Sequence, residues 1–278
     1  MITVNGTLIS KNTFTFSGGE LSVSLKGIKE PTTDVQVEAL LKNSDDIMEL
    51  ILITNAIREA LCFKRVPMEL CLFYFFYGRQ DRVCNLGEVH GVKVMAGIIN
   101  LLGYDMVGIL DPHSDAVIAA VDNSYAIEQH LPAAEALKDL VRKQHYELVS
   151  PDAGAEKKIN KLAKELGAWG LTPPVHYARK KRNLATGEIT ATEIDGDFTD
   201  KDLVIADDIC DGGRTFVELA KVLKAKNARK LVLYVTHGIF SKGLDELRLH
   251  FDRVICGYSF EPRADNDFFT SLLNEDKV

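Results

Sequence analysis

Apolar residues along this chain fall into two patterns, short continuous runs and longer stretches at helical spacing, and the two alternate. IMELILITNAIREALC repeats its apolar side chains every three or four positions, which predicts a helix. Asp45 and Asp46 just before it put acidic groups where a helix N-terminus presents N–H groups and positive dipole. MELCLFYF, short and rich in aromatics, predicts a strand; LGEVHGVKVMAGIINLLG predicts a second helix and DMVGIL a second strand. The alternation resumes with a helix near Ala133 to Lys143, strand YELVS, helix AEKKINKLAKELGA, strand VHYARK, strand KDLVIAD, a helix from Thr215 and strand KLVLYVT. Strands alternating with helices predict an α/β fold of two doubly wound parallel-sheet domains, residues 1–122 and 123–278, with a boundary near Asp122 in a stretch that is no flexible linker. ARKKRNLATGEITATEIDGD breaks the alternation. Its basic cluster, Thr-Gly turn and β-prone run predict a projecting hairpin near residues 178–196, or, read on the basic cluster alone, a solvated edge ribbon.

Composition narrows the function classes. At 278 residues the chain is long enough for two ordinary cores, and 46% hydrophobic with 26% charged residues is the balance of a globular enzyme. A formal net charge of −7 argues against a general nucleic-acid binder or a membrane-surface protein, both of which rely on clustered positive charge. Cys62, Cys71, Cys84, Cys210 and Cys256 are scattered with no metal-ligand spacing, so a reducing, cytoplasmic location is expected. MITVNGTLIS has no basic region leading into an apolar one, and no apolar stretch reaches membrane-spanning length.

The strongest local signal is LVIADDICDGGRTFVELAKVL. An apolar strand ends at Asp207 and Asp208, Gly212 and Gly213 make the turn, and a helix begins around Thr215. Glycines permit close backbone approach, the helix N-terminus favours an anion, Thr215 adds a hydroxyl, and the paired acids suit ribose hydroxyls. The competing reading is an ordinary strand-to-helix turn with capping aspartates. In FYFFYGRQDR, Arg79, Gln80 and Arg82 follow a buried strand, where guanidinium groups stack on a base or pair with phosphate; a surface ion-pair cluster is the alternative. In LDPHSD, His113 just past a strand suits contact with phosphate or a metal-bound group, with Asp111 orienting it.

The loop from Asp207 to Thr215 resembles the loop that binds 5-phosphoribosyl 1-diphosphate in type I phosphoribosyltransferases and ribose-phosphate pyrophosphokinases. FYFFYGRQDR, LDPHSD, LVSPDAG and THGIFS, in that order, make the chain similar to the pyrophosphokinases, from about Phe16 to the last strand. The resemblance implies domains of phosphoribosyltransferase-like type and transfer of the β,γ-diphosphate of ATP to the anomeric hydroxyl of a 5-phosphorylated ribose. It implies ATP contacts at Phe16, Glu20, Arg79, Gln80, Asp81, Arg82 and His113, and Mg²⁺ at His113 and Asp152, with Asp152 as a plain helix cap the competing reading. Ribose-phosphate contacts are implied at Asp207, Asp208, Asp211, Gly212, Gly213, Arg214 and Thr215. His113 is implied in catalysis, together with a Lys/Arg pair on the hairpin, best matched by Lys180 and Arg182, or by Lys181 in a shifted register. It further implies a homo-oligomer, dimer or hexamer, with Phe16 and Glu20 reaching the ATP of a neighbouring subunit.

Several positions depart from the family pattern. Most of the first strand-helix unit before FTFSGGE is expected to be missing and the chain to stop early after Phe260, which makes it a trimmed member. Gly18 does not match. Gly212 stands where the family has Thr and Arg214 where it has Gly, which points to an acceptor with a longer 5-substituent, ADP-ribose being the natural candidate and its product feeding the rebuilding of NAD. Two rival readings remain: a phosphoribosyltransferase, and a non-catalytic regulatory subunit of a synthetase.

Overall fold

The apolar runs become inner strands of two separate sheets. The computed structural model describes residues 1–9, 13–26, 33–61, 64–182, 189–261 and 263–273, and the chain divides into the units Met1–Glu128 and Gln129–Val278.

The first unit comprises β1 (Ile2–Val4), β2 (Thr7–Leu8), β3 (Thr13–Thr15), β4 (Leu21–Val23), β5 (Val35–Leu40), α1 (Ser44–Leu61), β6 (Met68–Tyr74), α2 (Gly91–Leu102), β7 (Met106–Leu110), α3 (Asp115–Ala120) and β8 (Ser124–Ile127). Its sheet runs β2-β1-β5-β6-β7-β8, parallel from β5 to β8, with β1 antiparallel at one side. β3 and β4 form a separate hairpin. α1 starts where Asn43 Oδ1 accepts from the N–H groups of Asp45 and Asp46, and it buries Ile47, Leu50, Ile53, Ile57 and Leu61 along one stripe. Those residues pack with Val92, Met95 and Ile99 of α2 and Val117 of α3 against Val37, Leu70, Leu72, Val107 and Ile109 of the sheet. α2 is shorter than its apolar pattern suggested. It begins at Gly91, where His90 Nδ1 accepts from Lys93 N, and ends at Gly103 in the left-handed region. Ahead of it Glu88 accepts from the backbone of Cys84 and Asn85, so LGEVH is a tied loop rather than the first helical turn. β8 pairs with β7, which extends this unit past the expected boundary near Asp122.

The second unit comprises α4 (His130–Gln144), β9 (Glu147–Ser150), α5 (Glu156–Ala168), β10 (Val175–Arg182), β11 (Ile189–Ile194), β12 (Asp202–Cys210), α6 (Arg214–Ala225), β13 (Lys230–Gly238), α7 (Asp245–Arg248), β14 (Arg253–Ser259) and β15 (Phe269–Leu273). The sheet order is β11-β10-β9-β12-β13-β14-β15, all parallel except β11, which pairs antiparallel with β10. β12 is buried on both faces. Leu203 and Ile205 join α6 in one core with Phe216, Leu219 and Leu223, while Val204 and Ala206 join α4 and α5 in another with Leu137, Ile159 and Leu162. The chain passes from β9 through α5 to β10 on one side, then returns so that β12 lies on the other side of β9. That reversal opens a crevice at the carboxyl ends of β9 and β12, the topological switch point where ligands bind in such sheets.

At the opposite end of β12, Asp202 accepts a bidentate pair from Arg229 (2.7 and 2.8 Å) and a bond from Lys230 N, fixing the start of β13. The Arg229 hydrogen bonds hold the Asp202 carboxyl below the usual carboxylate range. A depressed pKa contributes stability above the unfolded-state value that is lost as pH falls through the folded one. Asp202→Asn is therefore expected to lower the denaturant midpoint at pH 7, with the gap to the parent closing in acid; equal gaps at both pH values would contradict this.

Candidate active site

The switch-point crevice of the second unit gathers the acids. β12 carries Asp207 and Asp208 near its carboxyl end, and Asp152 follows β9. Burial, then the neighbouring Asp208 carboxylate and then Asp152, push the Asp207 carboxyl well above the usual range, although the backbone N–H of Asp208 donates to it (2.9 Å). Lys158 on α5 reaches Asp208 at 3.3 Å and offsets part of the crowding. The Gln129 side-chain amide donates to the carbonyl of Asp207 and to Thr236 Oγ1 (3.0 Å), tying β12, β13 and the start of α4 together beneath the acids. Asp152 Oδ1 accepts from Gly154 N (3.0 Å) and Ala155 N (3.3 Å), so it organises the turn into α5 while lying close enough to act on Asp207.

The loop after Cys210 turns at Gly213, whose φ of +75° favours glycine. Gly213 is also the helix cap and supplies no side-chain cap, which leaves the first turn of α6 without one. Helix α6 starts at Arg214, one residue before the expected Thr215. Arg214 is 90% exposed, with Glu218 4.0 Å away. Gly212 has another role: the point a Cβ would take is 3.5 Å from Cδ and Cε of Lys242. Just before the turn that carries Lys242, Gly238 at the end of β13 has no Cβ where the ring of Phe240 folds back. Phe240 adopts φ +49°, is buried edge-on to Phe269, and shares the carbonyl of Cys210 with Ile239 through two backbone N–H donors (2.9 and 3.0 Å).

In the first unit, RQDR and LDPHSD converge. Asp81 accepts from Arg82 Nε (2.9 Å) and Nη2 (3.3 Å); that pair chiefly, aided by the nearby charge of His113, lowers the Asp81 pKa. Asp81 is thus the hub of the cluster, with Arg82 and His113 exposed around it. Gly78 brings this loop close to Cβ of His113. Gln80 lies over Gly91 at the start of α2, its Oε1 2.5 Å from the point a Cβ would occupy, and its carbonyl accepts from Val92 N. Asp111, expected to orient His113, is buried with φ +40° after β7. Phe16 and Glu20 sit on the β3–β4 turn, where Phe16 N donates to Glu20 O (2.8 Å) and the half-exposed Phe16 ring meets Phe14. Lys180 and Arg182 lie on β10, with a register shift between Lys181 and Arg182; their side chains, and the Thr-Gly turn of the hairpin, lie outside the described residues.

The phosphoribosyl transferase domain family matches residues 124–255. Among curated proteins, the ribose-phosphate pyrophosphokinase of Aquifex aeolicus is 31% identical over 82% of this chain and 71% of its own length, and that of Haemophilus ducreyi 30% identical over 81% and 70%. The chain belongs to the ribose-phosphate pyrophosphokinase family. In fold it is similar to the phosphoribosylpyrophosphate synthetase of Mycobacterium smegmatis, with a TM-score of 0.76 and 19% identity over 94% of this chain and 85% of that one.

For a ribose-phosphate pyrophosphokinase family member, the structure brings Asp152, Asp207 and Asp208 into one crevice and Asp81, Arg82 and His113 into one cluster; His113 and Asp152 stand in different units. Gln129, Lys158 and Lys242 escaped the sequence reading. Gln129 had read as part of a connecting stretch and Lys158 as one polar position of a helix, and only tertiary contact distinguishes them. Among the described residues no three His, Cys, Asp or Glu side chains form a ready-made metal centre, and no helix is long and apolar enough to cross a membrane. Because Gly238 makes room for Phe240, Gly238→Ala is expected to cost about 1–3 kcal/mol in denaturant unfolding; an unchanged midpoint would show that the ring relocates freely.

Proposed function

We propose that this pyrophosphokinase transfers the β,γ-diphosphate of ATP to the anomeric 1-hydroxyl of a 5-phosphorylated ribose. The observation that carries the reading is the crevice where paired acids and an uncapped helix start meet at a switch point, in a chain whose relatives are named ribose-phosphate pyrophosphokinases. Asp207 and Asp208 hold the ribose hydroxyls, and the loop from Asp211 to Thr215 holds the 5-phosphate with Gly212, Gly213 and Arg214. Phe16, Glu20, Arg79, Gln80, Arg82 and His113 serve ATP, Asp81 fixing Arg82 in place. The hydroxyl oxygen bonds to the β-phosphorus as the bond to the bridging oxygen breaks; AMP leaves and the hydroxyl proton passes to solvent. Positioning and charge neutralisation carry the rate, and Lys180 and Arg182 close the site.

His113 in the first unit and Asp152 in the second are each a residue that would hold Mg²⁺. Carboxylates crowded enough to raise Asp207 suit a cation that takes few protein ligands and many phosphate oxygens. When bound, such an ion neutralises charge on the diphosphate. The free thiols Cys71, Cys84, Cys210 and Cys256 accord with a reducing, cytoplasmic setting. The reading also includes a homo-oligomer with a shared ATP site.

A specific observation favours an acceptor larger than ribose 5-phosphate. Gly212 offers no hydroxyl and Arg214 extends into solvent beside the loop, a pairing suited to the diphosphate of ADP-ribose. Incubating ATP and Mg²⁺ with ribose 5-phosphate, ADP-ribose or ribose and measuring AMP is expected to give release with the two phosphorylated acceptors only, fastest with ADP-ribose. No acceptor-dependent AMP would refute the diphosphokinase reading, and equal or faster turnover of ribose 5-phosphate would refute the larger acceptor. Lys180→Ala is expected to lower kcat by about 100-fold or more while changing acceptor affinity little, the mark of an interaction made in the transition state; near-normal kcat would remove Lys180 from the mechanism.

A further inference from the structure

We propose that Lys242 is a specificity-determining residue which, across the loop from Arg214, reads the second phosphate of a 5-diphosphate acceptor. The inference rests on the acceptor site described above and assigns a residue outside its strand-turn-helix segment.

Lys242 is exposed, yet its backbone is fixed. Ile239 and Phe240 are tied to the carbonyl of Cys210, the last residue of β12, and Gly243 N donates to Phe240 O (2.8 Å), closing a tight turn with Lys242 inside it. Gly243 at φ +70° completes that turn. The stem of Lys242 then lies over Gly212, with Cδ and Cε both 3.5 Å from the missing Cβ position. That distance is ordinary van der Waals contact, so a glycine at 212 leaves the lysine stem resting directly on the loop backbone. The ammonium is one bond beyond Cε, at the rim of the loop. Among the described residues Lys242 makes no ion pair, and Arg214, 90% exposed with only a long approach to Glu218, has little to hold it.

The chemistry follows from the geometry. A single 5-phosphate seated in the loop is served by backbone N–H groups at the start of α6, which do not depend on Lys242. A second phosphate, linked outward from the first, has to leave the loop past its rim. There it needs positive charge to offset the acids behind the loop, Asp207, Asp208 and Asp211. A flexible ammonium on one side and a guanidinium on the other meet an anion whose exact position varies. The effect of Lys242 should therefore appear on diphosphate acceptors and scarcely on monophosphate ones.

The test compares the parent protein with Lys242→Gln and Lys242→Arg. ADP-ribose and ribose 5-phosphate are titrated calorimetrically with Mg²⁺ present and ATP absent, and KM for each acceptor is measured by AMP release. Lys242→Gln is expected to weaken ADP-ribose about 10-fold, the scale of one charge-assisted contact, and ribose 5-phosphate less than about threefold. The KM for ATP and kcat should be unchanged, and Lys242→Arg should recover most of the loss. Equal losses on both acceptors, no loss on ADP-ribose, or no binding of ADP-ribose by the parent protein would overturn the proposal. Lys242-dependent binding of ADP-ribose without any AMP release would instead overturn the diphosphokinase reading and leave the Lys242 assignment standing.

Discussion

A strand sheathed by apolar side chains on both faces has to deliver its charge at an end, and β12 delivers it at Asp207 and Asp208. Leu203 and Ile205 on one face and Val204 and Ala206 on the other leave no room for polar groups until the strand reaches the crevice. There the carboxylates crowd one another and Asp152, and the Asp207 proton is held more tightly than in water. Lys158 and the backbone offset part of that cost. What remains is a group of crowded acids, a condition common at binding sites for charged substrates.

The loops around the crevice are shaped as much by missing side chains as by present ones. Gly238 yields space to Phe240, the turn that follows carries Lys242, and Lys242 lies where Gly212 has no side chain. In the first unit Gly91 yields space to Gln80 in the same way. At Gly213 and Gly243 the glycine is needed for its backbone angle. Gly238 and Gly91 are steric allowances within their own neighbourhoods, while Gly212 lets the loop after β12 meet the turn after β13 that carries Lys242.

The two units carry different chemistry. The second offers acids and an open helix start, which the proposed reading gives to a sugar phosphate, while the first holds the Arg82 guanidinium and the His113 imidazole around Asp81, which that reading gives to a nucleotide. Dividing the task this way fits a reaction whose catalysis is mainly positioning of two phosphorylated substrates.

Much of the fold was legible in the sequence, because burial imposes its period locally. The inner strands β6, β7, β9, β12 and β13 and the helices α1, α4, α5 and α6 stand close to where their apolar spacing predicted them. The start of α2 was misjudged, since the run LGEVH carries apolar residues while Glu88 and His90 tie it as a loop and a cap. Strands β1, β2, β5, β14 and β15 were not anticipated from pattern alone. Strands β1 and β2 are very short, and a strand's pairing depends on partners elsewhere in the chain. The sequence by itself also determined the family motifs and the order of acids, glycines and basic residues, because these are local chemistry. Only the tertiary structure decided that Gln129 braces Asp207, that Lys158 faces Asp208, and that Lys242 lies against Gly212. Those contacts join residues that no local spacing relates, and they exist only once the strands carrying them are packed side by side.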